Sequence, residues 1–152
     1  MKKILVILAL LPFYTFGEAH LSEEDKKNAE TIAKEIALCA GDYAFAAELF
    51  SGTMPAHSEK LKDLSRGWEI GSWGLYFLAG YELEETTILA TSKKEVRLNE
   101  WLAKFEAISE DKVGSIIEDE LTPRLKLCDE LKDMVIESQD ATRKLLLGRK
   151  DQ

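Results

Sequence analysis

Residues 22–50, SEEDKKNAETIAKEIALCAGDYAFAAELF, decide the fold. Ala29, Ile32, Ala33, Ile36, Ala40, Tyr43, Ala44 and Ala47 recur at steps of three and four, which puts them on one face of a helix. Ser22 stands where an N-cap belongs. Glu23, Glu24 and Asp25 follow in the first turn, where acids suit the positive end of the helix dipole. Most of that face is alanine, so another helix can approach closely. Ser51-Gly52-Thr53-Met54-Pro55 ends the run, because Gly and Pro together cannot continue a helix.

The next stretch predicts a second helix over about residues 58–79. Leu61, Leu64, Trp68, Gly71, Leu75 and Leu78 have the seam spacing of packed bundle helices. Gly67, Gly71, Gly74 and Gly80 fall in or beside it, and each interior glycine costs about 1 kcal/mol relative to alanine. A close backbone approach would offset that cost, so Gly71 is expected to lie against another helix. A break near Gly71 or Gly74 is the competing expectation. Ser65, Glu69, Ser72 and Tyr76 share a stripe and read as a polar seam, with Glu69 as a seam residue rather than a catalytic acid.

Further along, Ser92-Lys93-Lys94-Glu95 fits a capping box and predicts the start of a third helix. Leu98, Trp101, Leu102, Phe105 and Ile108 supply its apolar stripe, and Ile88-Leu89-Ala90 leaves room for an earlier start. Ser109-Glu110-Asp111 resembles another helix start. Thr122-Pro123 fits an N-cap followed by proline at the first helical position. Leu121, Leu125, Cys128, Leu131 and Val135 make the last stripe, with Leu145 and Leu146 beyond it and Gly148 as the C-cap. Strand-like alternation is missing. The fold class expected is all-α, an antiparallel bundle of about four main helices.

The start of the chain reads differently. Met1-Lys2-Lys3 is a short positive segment, and residues 4–13 are apolar apart from Pro12. About 20 residues are needed to span a membrane, so this run suits the core of a signal peptide instead. Small residues before His20 or before Glu18 place cleavage after Ala19 or Gly17, the former preferred. The organisation expected is therefore a signal peptide over 1–19 and a single helical domain over 20–152, periplasmic or secreted. No transmembrane segment is expected in the mature chain.

The whole chain has 20 basic and 28 acidic residues and a net charge of −8. Losing Lys2, Lys3 and Glu18 on cleavage moves that to −9. Such a balance argues against nucleic acid, whose phosphates require a basic surface. It fits a basic protein partner, and acidity also favours solubility.

Cys39 and Cys128 are the only cysteines, one on the first apolar stripe and one on the last. In an oxidising compartment two such thiols usually pair, so a cross-helix disulfide is expected. His20 and His57 lack zinc-hydrolase spacing, and no P-loop, nucleophile elbow or nucleotide fingerprint is present. No metal, cofactor or catalytic residue is assigned. His20 could chelate copper if it became the first mature residue, and His57 reads as a loop residue. The basic stretch over 143–150 suits a helix C-terminus, with membrane-surface contact as the lesser reading.

Trp68, Trp73, Tyr76, Phe77 and Tyr81 concentrate aromatic area. Trp68 and Trp73 are five apart and turn to different helix faces, so one is expected near the surface, where Trp and Tyr favour protein contacts. Together with Glu82, Glu84 and Glu85, Trp73 and Tyr81 form the candidate partner-binding set. The expected function is a non-catalytic exported protein-binding module: an inhibitor, an immunity-type antagonist or a holding chaperone. The alternatives are an extracytoplasmic hydrolase using carboxylates and a structural envelope component.

Overall fold

The computed structural model describes residues 21–133, 135–137 and 140. The signal-peptide reading, His20, and Leu145, Leu146, Gly148 and the basic stretch 143–150 lie outside the described residues.

Helix α1 spans Glu23–Phe50, and Ser22 caps it as expected, its Oγ accepting from the Asp25 amide. Helix α2 spans Pro55–Leu78 and does not break at Gly71 or Gly74. It begins three residues before Ser58, because Pro55 occupies the first turn, where its missing amide costs nothing. That frees Ser58 to turn inward, where it is buried.

The contact between α1 and α2 has a seven-residue repeat. Ser58 Oγ donates to the carbonyl of Ala47 at 2.8 Å. Ser65 Oγ donates to Ala40 at 2.7 Å, and Ser72 Oγ to Ala33 at 2.8 Å. Residue numbers rise on one helix as they fall on the other, so the pair is antiparallel. All three serines and all three alanines are buried. A methyl or hydroxymethyl side chain at each rung is what lets a hydroxyl reach a backbone carbonyl across the interface.

Helix α3 spans Leu83–Glu106 without interruption. The expected start at Ser92 is corrected: Ser92 and Glu95 are exposed residues inside the helix. Residues 83–106 contain neither Gly nor Pro, so nothing stops a helix that began earlier, after Glu82. Phe45 stacks on Trp101 at 5.4 Å and meets Phe105 edge-on at 4.7 Å, which sets α3 parallel to α1.

The fourth layer is segmented. Helix α4 spans Glu110–Ile116, a π-helical turn covers Ile117–Leu121, and α5 spans Thr122–Glu130. Thr122 is not an extended N-cap, since Leu121 and Thr122 both have helical backbone angles. Proline inside a helix lacks an amide and crowds the carbonyl four residues earlier, here that of Asp119. The wider π turn places that carbonyl in a looser coil, so the chain passes Pro123 without a stop.

The arm from α4 to α5 closes the up-down-up-down bundle through α1. Cys39 and Cys128 form the expected disulfide, with Cα atoms 5.6 Å apart. Gly71 meets Val135: a Cβ there would lie 2.4 Å from Val135 Cγ1. The expectation that Gly71 faces another helical segment therefore holds. Leu64 departs from its expected seam place and is 41% exposed, while Ser65 takes the buried position beside it.

The main core gathers Ile36, Cys39, Tyr43, Phe45, Leu61, Trp68, Trp101, Leu121, Cys128 and Val135. A second cluster of Ala33, Tyr76 and Ala90 lies toward the other end, with Trp73, Tyr81 and Leu89 packed on it. Among the described residues, no helix is long and apolar enough to cross a membrane.

Candidate functional site

Two polar constellations rise from this packing, one inside the bundle and one at its end. The inner one centres on Asp42, which is fully buried. Its Oδ1 accepts from Arg97 Nε at 2.6 Å and from Trp101 Nε1 at 2.6 Å. Its Oδ2 accepts from Arg124 Nε at 3.1 Å. One carboxylate thus joins α1 to α3 and α5. Gly41 makes room for it: a Cβ there would lie 2.6 Å from Arg97 Cβ and 2.7 Å from the Lys94 carbonyl. The next residue, Tyr43, donates to Asp129 at 2.7 Å. Sequence reasoning missed this node, although a lone acid amid Cys39, Ala40, Gly41, Tyr43 and Ala44 was a usable signal.

The polar seam expected on α2 holds in part: Ser65 and Ser72 bond to α1 and Glu69 to α3, whereas Tyr76 lies in an apolar cluster. Glu69 accepts from Thr91 Oγ1 at 2.7 Å and from Lys94 Nζ at 2.8 Å, fixing α3 against α2.

The outer constellation lies where α2 turns into α3. Gly80 adopts φ 98°, the left-handed conformation that glycine tolerates best. The Gly80 amide donates to Phe77 and the Tyr81 amide to Tyr76, at 3.0 and 3.2 Å, which completes a Schellman close of α2. This turn places Tyr81 edge-on to Tyr76 at 5.5 Å. Burial and then the neighbouring Glu30 carboxylate push the Tyr81 phenol above its ordinary range. Glu82 follows at the N-cap of α3, and Glu84 and Glu85 in its first turn, all three exposed. They form no ion pair among the described residues.

An open groove of about 510 Å³ runs beside this turn. Tyr81, Glu82 and Glu85 line one side, and Glu23, Lys26, Lys27 and Glu30 of α1 line the other. Glu84 and Trp73 are not part of its lining. Trp73 is half-buried and stacks on Phe77 at 6.2 Å, whereas Trp68 is core, 4% exposed. The two tryptophans therefore divide between core and periphery, as their spacing implied. The α1 contribution was not foreseen, because some fifty residues separate it from Tyr81 in the chain.

The α1 carboxyls of the groove, Glu23 and Glu30, are unlike a catalytic acid. Hydrogen bonds from Lys26 and Lys34 hold Glu23 and Glu30 below the usual carboxylate range. A general acid needs the opposite shift. Among the described residues, no group of three or more His, Cys, Asp or Glu is placed to hold a metal ion. His57 is exposed and meets Phe50 edge-on, but it lies in the first turn of α2 rather than in the loop expected, because the helix begins at Pro55.

Fold and sites thus define a disulfide-bonded all-α bundle with an open acidic and aromatic end. Comparison with protein-family models, characterised proteins and solved structures finds no match.

Proposed function

We propose that this chain is an exported, non-catalytic helical module that binds a basic protein, as an inhibitor, an immunity-type antagonist or a holding chaperone. Export is supported by the signal-like segment 1–19 and by the Cys39–Cys128 bond, which suits an oxidising compartment. The observation that carries the binding role is the bundle end itself. Three exposed glutamates stand beside Tyr81, close to the cluster that holds the half-buried Trp73. An open groove whose α1 carboxyls, Glu23 and Glu30, are paired with lysines serves recognition better than acid–base chemistry, so the hydrolase alternative draws no support from that side.

Affinity capture from envelope extracts, followed by binding kinetics with the captured protein, tests the proposal. Replacing Glu82, Glu84 and Glu85 together by Gln should slow association at low salt, where charge steers approach. Trp73→Ala should shorten the complex lifetime, since aromatic anchors act mainly on dissociation. Circular dichroism confirms that each variant remains helical. Intact folding with unaltered kinetics in both variants, or an acidic partner, would refute the proposal.

A further inference from the structure

We propose that α4, the π turn and α5 form a redox-releasable arm on a self-sufficient three-helix body of α1, α2 and α3. The body holds its own stabilising contacts. The serine ladder joins α1 to α2, Glu69 joins α2 to α3, and the Phe45–Trp101 stack joins α1 to α3. The arm packs on the body chiefly through α1, and far less extensively than α2 or α3 does.

The charges also divide cleanly. If the arm leaves, Asp42 loses Arg124 but keeps Arg97 and Trp101, so no uncompensated buried charge remains. Tyr43 loses Asp129 and gains water. The surface pair of Lys104 with Glu120 is half-exposed and contributes little. Leu121 and Leu125 add apolar contacts with the core, and the Cys39–Cys128 bond tethers the arm covalently to α1, so the arm cannot move away from the body while the bond is intact.

Both cysteines are buried, at 1% and 0% exposure, so a reductant reaches them as the arm frays. A dithiol thiolate attacks one sulfur, the other sulfur leaves and takes a proton, and the reagent's second thiol closes its own disulfide. Two cysteine thiols result, and the reagent takes up the lost bond. Release uncovers the surface around Cys39 and Tyr43.

Hydrogen exchange on the full chain, oxidised and in dithiothreitol, tests this, with the Cys39→Ser/Cys128→Ser protein as a reagent-free counterpart. Amides of residues 110–130 should lose protection by about tenfold or more, while the helical amides of α1, α2 and α3 change by less than about threefold. Joint loss across arm and body would overturn the proposal by showing one cooperative unit. Retained protection in the arm, with both thiols labelled, would overturn it equally.

Discussion

Ser65 Oγ donates to the Ala40 carbonyl at 2.7 Å in the middle of the α1–α2 interface, seven residues from the rungs on either side. A hydroxyl bonded to a helix carbonyl adds to the main-chain ladder without replacing it. The three rungs therefore fix how α1 and α2 slide against each other. Ser65→Ala should cost about 0.5–1.5 kcal/mol, the usual net worth of such a bond. Rungs two helical turns apart should add nearly independently in the triple Ser58, Ser65 and Ser72 alanine variant. Urea denaturation measures both, and a triple variant as stable as the parent would remove the ladder's role.

Glycines of this chain should divide by what surrounds them. Gly71→Ala places a methyl 2.4 Å from Val135 Cγ1 and Gly41→Ala one 2.7 Å from the Lys94 carbonyl. Each should lower stability by about 1–3 kcal/mol through overpacking. Gly114 has open space where its Cβ would lie, so Gly114→Ala should be neutral or raise stability by up to about 1 kcal/mol. Equal melting points for the three variants would contradict the close approaches.

Asp42 is the buried counter-charge of two arginines, and Asp42→Ala should cost about 1–3 kcal/mol, because it leaves the buried Trp101 ring N–H without its acceptor and Arg124 without its carboxylate, while Arg97 keeps Glu100. Arg124→Met should cost clearly less, because Asp42 retains Arg97 and Trp101. Chemical denaturation of both proteins checks the order. A larger loss in the Arg124 variant would reverse the assigned roles.

Tyr76 is fully buried, and its hydroxyl has no hydrogen-bond partner among the described residues. Burial, then Glu30 and Tyr81, push its phenol up to about 12. In the unfolded chain the phenol ionises near its ordinary value of 10.0, whereas the folded protein keeps its proton. Its contribution is thus complete below pH 10 and is lost as pH rises toward 12. Tyr43 shifts in the same direction, through burial and then Asp129. Tyr76→Phe should flatten the alkaline loss in part and raise neutral-pH stability by about 1 kcal/mol. Unfolding curves across that range decide it, and an unchanged alkaline slope would contradict the assignment.

The sequence by itself determined the helices whose signals are local: the Ser22 cap, the stop at Gly52–Pro55, the apolar face of α1 and most of that of α2, where Leu64 is exposed instead. It also determined the disulfide, because both cysteines lie on core-facing stripes. Where local signals conflicted, the structure decided. The capping box at Ser92 lost to a helix already running from Leu83, and Pro123 was absorbed by a π turn. The Asp42 node and the α1 side of the groove depend on residues far apart in the chain. Periodicity reports which face of a helix is apolar but not which helix meets it. Pairing a buried charge, or closing a groove, needs the register between helices, and that register is set by tertiary contacts such as Ser65 on Ala40 and Gly71 against Val135.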